Sequence, residues 1–361
     1  MNKRIIISVS NDLATDQRVW KVANSLSRNG YEVHLTGRRL KNSFPLTSSI
    51  AHKRLRLLFN KGFLFYVELN IRLFLLLLFS SADIFYANDT DTLPACFLAA
   101  KIKNIKLIFD AHELFPEVPE LQNRPLVKKV WKIIEDIFFP HLTTAFTVCQ
   151  SIADYYNQKY HINMKVIKNV PYLHDPNEKK IIIPGKKIIL YQGAVNIGRG
   201  LEWVIDAMPY IDNAILYIVG SGDILTQLEQ KVKKAGLEAK VIFHGKVPGN
   251  ELYTYTSSGD IGLCLLDNIG LSYYYSLPNR VFSYLHANVP ILASPFPEIS
   301  QIVKKHRTGV LTNEYEPRKL AETIRNMLET PPDTSHFNEI KKKFCWEEEE
   351  KILLNTLLNL I

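Results

Sequence analysis

Short continuous apolar runs recur along the chain, separated by stretches with helical spacing and by loops rich in Gly, Asn and Pro. Arg4–Val9 is the first such run, and its lack of alternation suits a strand buried on both faces. The stretch from Asp16 to Arg28 reads as a helix that stops at Gly30, a natural C-terminal cap. Glu32–Thr36, Ile84–Ala87, Lys106–Phe109 and Ala145–Val148 predict further strands, with helices at Thr92–Lys101 and Val127–Phe138. Such alternation implies a parallel sheet covered by helices on both faces.

The pattern breaks at 169–187, NVPYLHDPNEKKIIIPGKK, which is rich in Pro, Asn and charge. A second alternating series follows, with strands expected at Ile188–Gln192, Ile215–Val219, Lys240–Phe243, Ile261–Leu265, Pro290–Ala293 and near Val310. The expected organisation is therefore a first domain over 1–170, a linker over 171–187, a second domain over 188–345 and a terminal amphipathic helix over 346–361. The fold class is α/β, with two doubly wound, Rossmann-like domains facing a cleft and ligands at the carboxyl ends of the strands.

The chain has 361 residues, enough for two domains with separate cores. Its apolar share of 47% and charged share of 22% match a globular protein in water. Four cysteines, Cys96, Cys149, Cys264 and Cys345, have no short spacing, so neither a disulfide framework nor a zinc site follows, and a reducing cytoplasm is expected. The opening MNKRIIISVS lacks the apolar core of a signal peptide. The net charge of +8 is uneven: residues 1–170 carry 23 Lys/Arg against 14 Asp/Glu, and residues 171–361 carry 21 against 22. Arg38, Arg39, Lys41, Lys53, Arg54, Arg56 and Lys61 fall in one stretch without an acid, followed by LFYVELNIRLFLLLLF at 64–79. A spanning helix needs about 20 largely apolar residues, so this segment, interrupted by Glu68 and Arg72, is too short and too charged. Leu73–Phe79 reads as a buried helix. The basic stretch can rest on an anionic membrane face, and the same charge without a recognition motif does not make a nucleic-acid site.

The candidate chemistry sits in loops after strands. SYYYSLPNRVFSYLHANVPILASPFPEISQIVKKHRTGV, 272–310, reads as a loop, a helix opening at Pro278 with Ser276 as its cap, a strand, and a second helix near Pro297. A helix start offers unpaired N–H groups and a positive dipole end to a phosphate, and Arg280, beside Asn279, can hold a diphosphate through paired hydrogen bonds. Tyr191–Gly200, YQGAVNIGRG, follows the first strand of the second domain; glycines allow close backbone approach, and Arg199 can clamp phosphate oxygens. Gly220-Ser221-Gly222-Asp223 and His244-Gly245 follow later strands in the same way. The first strand is followed by SNDLATDQRV, without G-x-G-x-x-G, which disfavours a nicotinamide cofactor. Asp110-Ala111-His112-Glu113 closes another strand, at the lip of the sheet. Asn88-Asp89-Thr90-Asp91 has a two-carboxylate spacing, but it precedes a helix, so Asp91 reads as a cap with Asp89 in the loop, and no metal is expected.

The order of the "LPNRVFSY" segment, Pro290, Ser294, Pro297-Glu298 and Gly309 resembles the donor site of family-4 retaining glycosyltransferases of the GT-B fold, of the bacterial cell-surface polysaccharide type. Asp16-Gln17-Arg18-Val19 and Asp110-Ala111-His112-Glu113 resemble other motifs of that family. The resemblance implies metal-independent transfer of a sugar from a nucleoside-diphosphate-sugar to a hydroxyl of a lipid-linked glycan, with no cofactor. It implies catalytic roles for His112, Arg199 and Arg280. Donor contacts would come from Gly193, Ala194, Gly198, Arg199, Gly220, Gly222, His244, Ser276, Leu277, Pro278, Asn279, Arg280 and Ser283, and acceptor contacts from Asp16, Arg18, Asp89, His112 and Glu113. It also implies that the terminal helix crosses back to the first domain, and a cytoplasmic place at the inner membrane face. Three positions depart from the pattern: Ala194 stands where the family usually has an Arg, and Tyr275 and Ser283 stand where it holds two glutamates. Two other readings remain open, a non-catalytic sugar-nucleotide-binding relative in a polysaccharide assembly complex and a sugar-nucleotide epimerase on the same fold.

Overall fold

The computed structural model describes residues 3–41, 43, 45–173, 180–249 and 251–360. Part of the expected linker, 174–179, lies outside the described residues. The chain forms two compact units, one of residues 1–169 with 349–361 and one of residues 170–348.

In the first unit, seven strands are β1 (Arg4–Asp12), β2 (Glu32–Arg38), β3 (Ala51–Leu55), β4 (Ile84–Asn88), β5 (Lys106–Ala111), β6 (Ala145–Thr147) and β7 (Met164–Val166). Their order is β3-β2-β1-β4-β5-β6-β7, parallel throughout. The succession reverses between β1 and β4, and a ligand crevice forms outside the strand ends at such a reversal. Asp12 pairs in register with Arg38, and Asn88 with Asp110, so one edge gathers the ends of β1, β2, β4 and β5.

Two strands differ from the sequence expectation. β3 runs through the basic stretch with an AHKRL sequence and largely exposed residues, as an edge strand can. β7 is only three residues long. The helix Gly62–Leu78 also differs from a wholly buried one: Phe65, Leu69, Leu73 and Leu77 pack inward, while Ile71 and Leu75 face out and Phe79, at its C-cap, is 83% exposed. Among the described residues no helix is long and apolar enough to cross a membrane.

In the second unit, β8 (Lys187–Gln192), β9 (Ala214–Val219), β10 (Val241–Gly245), β11 (Ile261–Cys264), β12 (Ile291–Ala293) and β13 (Gly309–Leu311) form a parallel sheet in the order β10-β9-β8-β11-β12-β13. Its core joins Ile189, Leu216, Ile218 and Leu263 of the sheet to Leu201, Ile205, Leu320 and Ile324 of the helices. The last helix, Trp346–Leu360, starts in the second unit and ends in the first. There Glu349 accepts from the Lys168 backbone N–H at 2.8 Å, and Lys165 donates to Thr356 at 3.1 Å.

The helix Asn279–His286 lies over β11, held by Tyr284. Its ring fits where Gly262 has no side chain: a Cβ there would meet ring atoms at 2.4 to 2.6 Å. The buried Tyr284 hydroxyl donates to the Leu190 carbonyl at 3.2 Å. Gly262→Ala is expected to lower stability by about 1–3 kcal/mol through overpacking, read as a lower denaturant midpoint with unchanged slope.

Candidate functional site

In the second unit, the loop after β8 and the helix Asn279–His286 flank the reversal between β8 and β11. Arg280, in the first turn of that helix, is buried with its guanidinium carbon 4.5 Å from the centre of the Tyr191 ring. Burial opposes its charge, yet the Tyr191, Cys264 and Tyr284 side chains more than offset that, and its pKa lies above the ordinary arginine value. Tyr191, at the end of β8, donates its hydroxyl to the Ala194 carbonyl at 2.5 Å, which ties the loop to the same ring. Arg199 lies over a second ring, 4.4 Å from the centre of Tyr273. Both guanidinium groups act on the buried Cys264 thiol; burial pushes that thiol up and the two cations draw it back. Nη1 of Arg280 and Nε of Arg199 are buried without a hydrogen-bond partner among the described residues. A buried charged donor left in this state is costly, and an anionic oxygen is its natural complement.

The glycines divide by task. Gly193, at φ +130°, stands open: the nearest atoms to a Cβ there belong to Arg280, at 3.8 Å. Gly220 and Gly222 instead let two loops touch, since their Cβ atoms would meet the Gly193 carbonyl at 1.9 Å and the Val195 carbonyl at 2.3 Å. Gly198 is buried under Ile269 and Tyr273. For Gly220, Gly222 and Gly198, loop packing is the visible role.

Other expected donor residues are placed as follows. Pro278 is the N-cap of the helix, whose first residue is Asn279, and Ser276 is no cap because its hydroxyl donates to the Tyr273 carbonyl at 2.8 Å. Leu277 is buried and Asn279 exposed. Ser283 donates to the Asn279 carbonyl one turn back at 3.3 Å. His244, at the end of β10, has Nδ1 3.0 Å from the Tyr217 hydroxyl and Nε2 2.8 Å from the Tyr255 hydroxyl, so both ring nitrogens are engaged. Glu298 is buried in the first turn of the helix Pro297–Lys305.

In the first unit, His112 follows β5. Its backbone N–H donates to Asp89 Oδ1 at 2.8 Å, its Nδ1 lies 3.2 Å from Asp89 Oδ2, and its Nε2 lies 3.6 Å from Asp110 Oδ2. Burial disfavours its charge, but Asp89 and Asp110 more than offset that and hold the imidazolium well above the ordinary histidine value. Asp89 takes the left-handed backbone conformation, φ 60°, which turns it toward this ring. Glu113 is half-buried beside it.

Arg18 is corrected. Expected to touch an acceptor, it is 2% exposed, and its Nε and Nη2 donate to Asp110 at 3.0 and 2.8 Å while Nη1 donates to the Ile167 carbonyl at 2.8 Å. It is a strut under the site. Burial would raise the Asp110 pKa, but Arg18 and His112 together hold that carboxyl far below the carboxylate range. Asp16 caps the helix Gln17–Arg28, accepting from the Val19 N–H at 3.2 Å. Asp91 is also corrected: Thr92 takes the N-cap position of the helix Leu93–Lys103, and Asp91 is buried with its pKa pushed up to about 7, by burial first and by Asp89 second.

The chain is similar to known proteins over both of its halves. A model described as Glycosyltransferase Family 4 matches residues 16–171, and one described as Glycosyl transferases group 1 matches residues 175–344. Among solved structures, sucrose-phosphate synthase from Thermosynechococcus elongatus superposes with a TM-score of 0.81 at 16% identity, covering 99% of both chains. Anabaena HepE in complex with UDP-glucose follows at 0.75 and 16%, covering 99% of this chain and 100% of that one. The architecture is the GT-B fold of glycosyltransferases. Each half of the chain is thus similar to a glycosyltransferase model, the first to family 4 and the second to group 1. An uncharacterised glycosyltransferase of Methanocaldococcus jannaschii is 28% identical over 178 residues, 47% of this chain and 44% of that protein. The chitobiosyldiphosphodolichol beta-mannosyltransferase of Candida albicans is 21% identical over 293 residues, 72% of this chain and 63% of that protein. The matches thus span about half to two-thirds of these relatives' lengths.

Two predictions follow from the first unit. Asp110→Ala strands the buried Arg18 charge and is expected to cost about 3–5 kcal/mol in urea unfolding. Asp91 holds a proton in the folded chain that the unfolded chain releases near pH 4, so its contribution is present below about pH 4 and lost as pH rises through about 7. Asp91→Asn is expected to flatten that decline, seen as a smaller fall in melting temperature across this range than in the parent.

Proposed function

We propose that this protein is a retaining hexosyltransferase that moves a sugar from a nucleoside-diphosphate-sugar to a hydroxyl of a lipid-linked glycan, without a metal. The observation that carries the reading is the pair of buried, unpartnered guanidinium N–H groups of Arg199 and Arg280, each set on a tyrosine ring. They suit the oxygens of a diphosphate, whose charge grows as the sugar departs; preorganised cations in a dry site stabilise that charge without reorganisation. Gly193, open beside Arg280, lets the diphosphate approach the backbone, and the start of the helix at Asn279 adds N–H groups. The UDP-glucose complex of Anabaena HepE supports a nucleotide sugar as the donor class.

The first unit takes the acceptor in this proposal. His112, charged between Asp89 and Asp110, donates from Nε2 to a sugar hydroxyl, while Asp89 fixes the ring. In the family resemblance the leaving phosphate helps deprotonate the acceptor hydroxyl, so no carboxylate nucleophile is required. The basic stretch ending at Lys61 brings the protein to the anionic cytoplasmic face of a membrane.

A second reading, a non-catalytic sugar-nucleotide-binding relative, is favoured by Ser283, whose hydroxyl is spent on its own helix where the family holds a carboxylate. The two separate by turnover. With a panel of nucleoside-diphosphate-sugars and membrane extract, the proposal expects a glycosylated product by mass spectrometry. Arg199→Ala and Arg280→Ala are each expected to lower kcat/KM by about 10²–10³-fold, with weaker binding of the nucleoside diphosphate by calorimetry. Nucleotide binding without product would favour the second reading, and full activity in both variants would refute the site.

A further inference from the structure

A cavity of about 240 Å³ opens at the amino-terminal end of β5, far from His112. β5 spans six residues from Lys106 to Ala111, so its two end residues lie roughly 17 Å apart at about 3.3 Å per residue. Phe97, Ala100 and Leu142 give the cavity apolar walls, and Lys101, Lys106 and His141 line it with basic groups. No acid lines it. The neighbouring Lys103 is occupied, donating to the Leu78 and Ser80 carbonyls at 3.0 and 2.8 Å. Lys101 and Lys106 have no side-chain partner among the described residues.

Apolar surface lies beside this basic cavity. The helix Leu93–Lys103 leaves Leu98 and Ile102 exposed, one turn apart. The helix Pro125–Phe138 packs against it, with Phe97 and Phe138 edge to face at 5.2 Å. That helix exposes Val130, Ile133 and Ile137, spaced to form a single stripe, and buries Trp131 and Glu135 on its other side. Phe97 also touches the His141 ring, with centroids 6.0 Å apart, so one aromatic links the stripe to the cavity. A free inorganic anion would need only the cations, and an apolar peptide only the stripe. An anionic phospholipid uses both, with its phosphate against the lysines and its chains along the stripe.

We infer that the cavity at the amino-terminal end of β5 is a headgroup site for an anionic phospholipid, with Lys101, Lys106 and His141 as its phosphate contacts. This extends the membrane contact proposed above to a specific site, and it does not depend on the donor chemistry. Cosedimentation of the full chain with phosphatidylcholine–phosphatidylglycerol vesicles, against phosphatidylcholine alone, tests it. Binding is expected only to the anionic vesicles. The paired change Lys101→Ala with Lys106→Ala should weaken binding about 25-fold, at about fivefold for each lysine. Ile133→Ser with Ile137→Ser should weaken it as well, and circular dichroism should be unchanged because all four side chains are exposed. If these variants bind as the parent does while Arg56→Ala with Lys61→Ala abolishes binding, the membrane contact stands and this site falls. Absence of binding to any vesicle overturns both and leaves the nucleotide-binding test of the donor site intact. Full competition by millimolar inorganic phosphate, or a dimer that Ile133→Ser with Ile137→Ser dissociates, would assign the surface to a free anion or a second copy and overturn the lipid.

Discussion

One buried guanidinium, Arg280, and one half-buried, Arg199, each with a buried N–H left without a hydrogen-bond partner, set the terms for the second unit. A chain that desolvates Arg280 gains little stability from doing so; the Tyr191 ring, with Cys264 and Tyr284, offsets part of the cost, and the Tyr273 ring supports Arg199, without a partner for every N–H. The surrounding architecture keeps this state in place. Tyr191 is anchored at the end of β8, Tyr284 presses the Arg280 helix onto Gly262, and the loop after β8 is pinned to the loop after β9 by contacts that only Gly220 and Gly222 permit.

The first unit solves a different electrostatic problem. Asp110 is fully buried, which a carboxylate tolerates only with strong partners, and Arg18 supplies two of them. Because one oxygen of Asp110 also lies near His112, the same buried pair that fastens the first helix to β5 helps keep the imidazole charged. Structural support and site electrostatics therefore share one carboxylate.

The alternation of apolar runs made both sheets legible, because parallel strands buried on two faces leave unbroken runs of Ile, Leu and Val. β3 was illegible for the opposite reason: an edge strand of charged and half-buried residues carries no such run. The positions of Arg280 in the first turn of a helix and of His112 just after a strand were readable from the pattern. Arg18 was misread because a motif position does not reveal burial, and its partner Asp110 lies 92 residues away. The aromatic beds under the two arginines were missed, although the SYYYS segment signalled an unusual tyrosine density. Asp91 read as a cap because its buried surroundings come from β1 and β2, which no local pattern discloses.

The first unit is discontinuous in sequence, closed by residues 349–361 from the far end of the chain. During synthesis its seven strands can emerge and pair well before Glu349 leaves the ribosome, yet the backbone N–H of Lys168 waits for that carboxylate and Ser25 for Glu350. The nascent first unit is thus obliged to persist with an uncovered helix-docking face while the whole second unit is translated, and a transcript truncated ahead of Glu349 would leave that face open for good.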